Sequence, residues 1–442
     1  MSWRDRVRQK LVPLGRAMEC VREDHVVGVA PFTCTPYTLC RGLAEHAQRA
    51  GLSKVRVDHP AALFAWTDPA LRGVFELHDN YATPMNRAAC HAGAMEYLPV
   101  SVWRSHEMPS GFTADADVFL VPVSPPDARG YCSFGPGVWM SGTGVRFAKC
   151  VVAEVHEDFI RTYGENYVHM DQIDWFVEAD VPTGGGTPPQ LAPAEEREAA
   201  EVICNLVAAE LVHDGDTLQM GVGTVSAALA PFLEFRNDLG IQTELVTGGI
   251  AELVRKGVVT GRYKSIHPFK VVGSALVALP PDELHEIHEN PVFELYDFGY
   301  TDDLRRLIQI ERFVTVNNAL AVDLTGQVAA ESFDHRMYTG VGGQTVFMIA
   351  GAYSPGGRSV SVLPSAARPG GDGARCSRIV PGLPAGTPVT VPRTFVDTVV
   401  TEHGIADLRG RTVRERAAAL IEIAHPEFRE ALRADARRLA LA

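Results

Sequence analysis

No uninterrupted apolar run in this sequence approaches the ~20 residues that span a bilayer. The N-terminus, from Met1 to Lys10, is basic but lacks the apolar core of a secretory signal. Both absences lead us to expect a cytoplasmic protein with no membrane partner. The eight cysteines (Cys20, Cys34, Cys40, Cys90, Cys132, Cys150, Cys204 and Cys376) form no C-x-x-C pair, and none stands beside histidines at zinc-ligand spacing. A metal site is therefore not expected, and buried reduced thiols are. Cys34, in the small-residue loop Thr33-Cys34-Thr35-Pro36, is the thiol whose surroundings matter most. A positive balance is also missing. The net charge of −13 argues against a nucleic-acid partner, while leaving room for local Lys/Arg clusters around an anionic ligand. The turn Gly221-Val222-Gly223 lacks the third glycine of a dinucleotide fingerprint and the Lys-Ser/Thr of a phosphate-binding loop. No resident cofactor is expected.

What is present is the composition of an ordinary globular protein, 46% hydrophobic and 21% charged over 442 residues. That length suits two to three domains of ~150 residues. Val181 to Pro193 holds three glycines and four prolines in thirteen residues, a stretch that continues neither a helix nor a central strand. We expect an N-terminal domain over 1–181, a linker over 182–193 and a C-terminal domain over 194–442. Strand-like runs at Val26–Ala30, Asp117–Val123, Lys149–Val155, Thr345–Ala350, Ser359–Pro364 and Pro388–Val391 alternate with helical patterns. Such short apolar strands between helices predict an α/β fold with mostly parallel sheets covered on both faces. Helices are predicted from Ala194, where acidic residues lead, and over the amphipathic tail Phe428–Leu439.

Two segments carry the chemistry. Gly340-Val341-Gly342-Gly343-Gln344 can offer backbone N–H groups to a developing oxyanion, because no side chain blocks the approach. Leu239-Gly240-Ile241-Gln242-Thr243-Glu244 ends on a glutamate among small and apolar residues, a form suited to a carboxylate nucleophile. Together they suggest acyl transfer through a glutamyl intermediate. Taken singly, Glu244 also reads as a cap on a helix from Leu245, the glycine turn as a hairpin that needs positive φ, and Gly221/Gly223 as a plain tight turn.

The sequence resembles the acetyl-CoA hydrolase/transferase family, which includes 4-hydroxybutyrate and acetate CoA-transferases. The densest match reads Val316-Asn317-Asn318-Ala319-Leu320-Ala321-Val322-Asp323-Leu324-Thr325-Gly326-Gln327-Val328, followed by the Gly340 turn. Ser377-Arg378-Ile379-Val380-Pro381, Thr401-Glu402-His403-Gly404-Ile405-Ala406 and Ala424-His425-Pro426 continue it. Looser pieces lie N-terminally, at Pro84–Arg87, Tyr97–Val100, Ser124-Pro125 and Val168-His169. The resemblance implies two similarly folded α/β domains with the active site in the cleft between them, and it implies that Glu244 becomes acylated. It assigns Gly342 and Gly343 to an oxyanion hole shaped by Gly340. It also favours Gly221 and Gly223 as lining the cleft. By their own chemistry Gln344 can add a donor and the Arg378 guanidinium can hold a CoA phosphate or a carboxylate, while Val346 is expected in the acceptor wall. Coenzyme A and acyl-CoA would be substrates, a carboxylic acid the partner, and the assembly a homo-oligomer, dimer or tetramer.

The chain departs from the family at several points. Val346 and Ile349 stand where an Asp and an Arg are usual, and Gln242 where a His is usual. If both side chains reach the pocket, acids with an aliphatic or aryl tail should be preferred to dicarboxylates. Three functions stay open: a CoA-transferase acting on small or medium carboxylic acids, an acyl-CoA hydrolase on the same scaffold, and a catalytically weak CoA-binding subunit.

Overall fold

The computed structural model describes residues 2–102, 116–183, 193–368 and 373–441. Most of the linker expected over 182–193 lies outside the described residues. The chain divides into two compact units: Met1–Pro188 with Gly273–Thr301 and Tyr338–Gly340, and Pro189–Val272 with Asp302–Met337 and Val341–Ala442.

The first unit is built on a parallel sheet. Its strands are β1 (Val26–Val29), β2 (Val55–Asp58), β3 (Phe75–Asp79), β4 (Glu96–Tyr97), β5 (Val118–Val123), β6 (Cys150–Val155) and β7 (Trp175–Glu178). They lie in the order β7-β6-β5-β1-β2-β3-β4. Every pairing is parallel, so each connection must cross over a face, as α1 (Tyr37–Ala50) does between β1 and β2. All six residues of β5 are buried, as the continuous apolar run of a central parallel strand requires. Val27, Val29, Leu39, Leu43, Val55, Val57, Val118, Leu120 and Val152 form its core.

The second unit repeats the plan. Its strands are β8 (Thr217–Met220), β9 (Gly240–Gln242), β10 (Val271–Gly273), β11 (Phe313–Asn318), β12 (Arg358–Val362), β13 (Thr398–Thr401) and β14 (Gly404–Asp407). They lie in the order β14-β13-β12-β11-β8-β9-β10. The pairings are parallel except β13 with β14, a tight antiparallel return. The chain runs outward from β8 through β9 and β10, then starts again on the other side of β8 with β11. The strand order therefore reverses between β8 and β11. In open parallel sheets, ligands gather at the C-terminal strand ends beside such a reversal. The α/β expectation with mostly parallel sheets holds in both units.

Two expected strands are not strands. Thr345–Ala350 lies within helix α3 (Gln344–Tyr353), with Gly343 at its N-cap position. β11 and β12 pair in parallel, and a parallel pair needs a crossover that a further strand cannot supply. That demand overrides the β-propensity of Val346, Phe347 and Ile349, and a short buried apolar run has no periodicity to warn of it. Pro388–Val391 contributes only an isolated bridge from Val391 to Val328. The glycine turn after β8 leads into two 3-10 turns, Ser226–Ala228 and Ala230–Leu233. The other predicted runs fall on β1, β5, β6 and β12, and the predicted helices on α2 (Ala194–Leu206) and, after α4 (Val413–Ile423), on α5 (Pro426–Arg438).

Candidate active site

The site is built from the C-terminal ends of β8, β9 and β11. Glu244 lies two residues beyond β9, ahead of the short strand Leu245–Thr247. It does not cap a helix. Thr243 fixes the segment: its N–H donates to the Val272 carbonyl at 3.0 Å and its hydroxyl to the Met220 carbonyl at 3.1 Å. Gln242, one step earlier, is 1% exposed. Glu244 keeps some solvent contact as a residue, yet burial of its carboxyl raises its pKa above the usual carboxylate range.

Gly343 explains why no other residue fits at the start of α3. A Cβ there would overlap Glu244 Oε2, stand 2.6 Å from Asp302 Oδ2 and 2.9 Å from the Phe347 ring. Gly342 adopts a φ of 54°, a left-handed conformation that costs other residues strain. Gln344 opens the helix and donates from Nε2 to the Asn318 carbonyl at 3.0 Å, tying the turn to the end of β11. Gly340, in the first unit, packs on the Asn80 carbonyl so closely that a Cβ would collide with it.

The Gly221–Gly223 turn sits on the same strand ends. Gly221 brings its Cα against Asn317, where a Cβ would be 2.8 Å from Oδ1, and Gly223 leaves no room for a Cβ beside the Asn318 amide. Asn317 and Gln219 exchange paired amide hydrogen bonds of 2.9 and 3.2 Å in the interior. Asn318 accepts from the Val225 N–H at 3.3 Å and donates to Ser226 Oγ, which itself donates to the Gly221 carbonyl at 2.7 Å. Glu244, Gly343, Gln344 and the Gly221 turn thus share one edge of one sheet.

Other candidates lie elsewhere. Val346 is 6% exposed on α3, and helical spacing turns it to the same side as Ile349, where strand alternation would have opposed them. Arg378 is ion-paired with Glu196 of α2 at 2.7 Å. Arg409 pairs with Asp397 at 2.6 Å. Lys264 is buried, donating to the carbonyls of Ile241 and Lys270 at 2.6 and 2.8 Å. His425 accepts from the Glu427 N–H at the start of α5, with the His403 ring 5.5 Å away. The Cys34 thiol is pushed up to about 12 by burial, which makes it inert. Among the described residues, no group of His, Cys, Asp or Glu is arranged to hold a metal ion, and no helix is long and apolar enough to cross a membrane. Asp302, which precedes Asp303 in Tyr300-Thr301-Asp302-Asp303, carries no local sequence signature that separates it from any other acid.

Residues 282–436 match the family model of the acetyl-CoA hydrolase/transferase C-terminal domain. Over 439 residues the chain is 35% identical to 4-hydroxybutyrate coenzyme A transferase of Clostridium kluyveri, a match covering 98% of each. The chain belongs to the acetyl-CoA hydrolase/transferase family. This family member is also 36% identical to succinyl-CoA:cyclohexane-1-carboxylate CoA transferase of Geobacter metallireducens, over 81% of the chain and 79% of the relative. Among solved structures, RipA from Yersinia pestis superposes with a TM-score of 0.89 at 29% identity, covering 100% of both chains. The 4-hydroxybutyrate CoA-transferase of Porphyromonas gingivalis gives 0.76 at 31% identity, covering 99% of this chain and 100% of that one. By membership, the acetyl-CoA hydrolase/transferase family chain is an enzyme of the CoA-transferase type.

Proposed function

We propose that this enzyme moves coenzyme A between an acyl-CoA and a small or medium carboxylic acid through a thioester on Glu244. The observation that carries the reading is the Glu244 carboxyl at the sheet edge, packed against the side-chain-free backbone of Gly343. A carboxylate needs no base to attack a thioester. It adds to the acyl carbonyl and expels the CoA thiolate, leaving an acyl-glutamyl anhydride. The thiolate then attacks the glutamyl carbonyl; the C–O bond breaks, the first carboxylate departs, and a glutamyl-CoA thioester remains. An incoming carboxylate attacks that thioester, and the same steps in reverse yield the new acyl-CoA and restore Glu244.

Each attack on the glutamyl carbonyl puts negative charge on its oxygen. The Gly343 backbone already lies against that carboxyl with no side chain between them, so its N–H is placed to meet the charge with little reorganisation. Gly342 and Gly340 hold the turn in shape. Gly221, Gly223 and Gln344 border the same strand ends and supply backbone and amide donors for the substrate. Val346 and Arg378 contribute through packing and through the pair with Glu196.

The deciding assay incubates the purified enzyme with acetyl-, butyryl- and succinyl-CoA, with and without a second free acid. Formation of the second acyl-CoA only when the acid is present supports transfer. Free CoA released at the same rate without acid would make it a hydrolase, and no turnover with any pair would leave a CoA-binding subunit.

A further inference from the structure

Tyr338-Thr339-Gly340 immediately precedes the Val341-Gly342-Gly343 turn, and each of its three residues is held by the loop that follows β3. Arg87, half-buried at the start of the short helix Arg87–His91, donates from Nε and Nη2 to the Tyr338 carbonyl at 3.0 and 2.6 Å. Its guanidinium also lies over the Tyr338 ring, 4.0 Å from the centroid. The Thr339 carbonyl accepts from the Ala82 N–H at 3.3 Å. Gly340 sits so close to Asn80 that a Cβ would collide with its carbonyl oxygen. The loop is itself pinned: Asp79 accepts from the Tyr81 N–H and the Asn86 amide at 2.8 and 2.6 Å, and that amide also donates to the Tyr81 carbonyl at 3.2 Å.

These contacts lie within the first unit, and the peptide bond after Gly340 leads straight into the turn of the second. On the far side of the turn, Gln344 is tied to the Asn318 carbonyl at 3.0 Å, and Gly343 leaves no room for a side chain beside Glu244. Between those anchors lie Val341 and Gly342, the latter at a φ of 54°. A turn with adjacent glycines has many backbone states of similar energy. The direction of the Gly343 N–H is therefore decided by what holds the two ends.

Resting on the glutamyl reading of Glu244, we propose that Arg87 is a positioning residue for this chemistry. It grips the Tyr338 carbonyl, fixes the entry to the Gly342-Gly343 turn and so keeps the Gly343 N–H aimed at the glutamyl carbonyl. It acts through the strap Tyr338–Gly340, and no bond is made or broken at its own side chain. Two charge-assisted bonds on one carbonyl, with a flat face over the neighbouring ring, are what a guanidinium fork supplies; a lysine ammonium is a point donor with no such face. Released from that grip, the turn relaxes, and a misplacement of about 1 Å at a reacting group costs about 100-fold in rate.

Arg87→Ala and Arg87→Lys test this in steady-state and single-turnover kinetics, with the urea midpoint as the check on folding. We expect Arg87→Ala to lose about 30-fold in kcat with the KM for acyl-CoA within about 3-fold of the parent, because the Gly343 N–H is used in the transition state and not in substrate binding. Arg87→Lys should recover part of that, losing about 3- to 10-fold in kcat. With acyl-CoA and no acceptor acid, the borohydride-reducible thioester on Glu244 should form more slowly in Arg87→Ala by the same factor as kcat. A parental kcat in Arg87→Ala, or a raised KM at unchanged kcat, would overturn the assignment. Should Arg87→Ala fail to fold, Arg87→Lys decides: a kcat loss of about 3-fold or more at unchanged KM supports it, and a parental kcat excludes it. The parent enzyme separates the two readings. If its Glu244 is never modified, the glutamyl reading fails and takes this one with it; if Glu244 is modified at the same rate in the parent and in Arg87→Ala, only the role of Arg87 falls.

Discussion

Gly343 is the residue on which the site's geometry turns. Its missing side chain lets the backbone meet Glu244 and Asp302 at once, and an added methyl would overlap one carboxylate and press on the other. Gly343→Ala should therefore lower kcat/KM at least 100-fold, since displacing a reacting group by about 1 Å costs on that order. Gly382→Ala, where a methyl would meet nothing within 4 Å, should leave activity unchanged. Steady-state kinetics of the two variants test this, and a Gly343→Ala enzyme of parental activity would mean that the turn does not bear on Glu244. The glutamate and the glycine turn were legible in the sequence because each has a local signature. The approach of Asp302 to Gly343 was not, because it is made between segments far apart in the chain.

At the scale of elements, α3 shows where local reading fails. Thr345-Val346-Phe347-Met348-Ile349-Ala350 has strand propensity, but the parallel pair β11–β12 requires a crossover in that interval. Its neighbour β12 was recognisable from its apolar run alone, whereas β11 was not read as a strand. The loop after β3 shows the opposite case, a shape fixed by one buried acid. Asp79 accepts from the N–H groups of Ala61, Ala62 and Tyr81 at 2.7, 2.9 and 2.8 Å and from the Asn86 amide at 2.6 Å. The neighbouring Asn80 carbonyl is the group packed on Gly340. Asp79→Ala leaves those donors without an acceptor, and at about 1–3 kcal/mol for each one that stays unsatisfied the expected loss is about 3–5 kcal/mol. Urea denaturation measures it; a loss below about 1 kcal/mol would show that other groups or water replace the carboxylate.

At the scale of the whole molecule, two doubly wound sheets of the same strand plan account for the α/β pattern read from the sequence, although the halves share no obvious sequence repeat. The second sheet puts the end of β8 at its strand-order reversal, with Glu244 beyond the adjoining β9, and generic α/β chemistry gathers at such a place. Family membership narrows that chemistry to CoA transfer, and the central claim is that the acyl-CoA's thiol ends up on Glu244. The direct measurement is to incubate the enzyme with an acyl-CoA and no acceptor acid, reduce with borohydride, digest, and map the modified residue by mass spectrometry. The account predicts one site, Glu244 with its side-chain carboxyl reduced to an alcohol, and no such product in Glu244→Ala. CoA transfer that proceeds while Glu244 stays unmodified, or a reduced residue elsewhere in the chain, would contradict it.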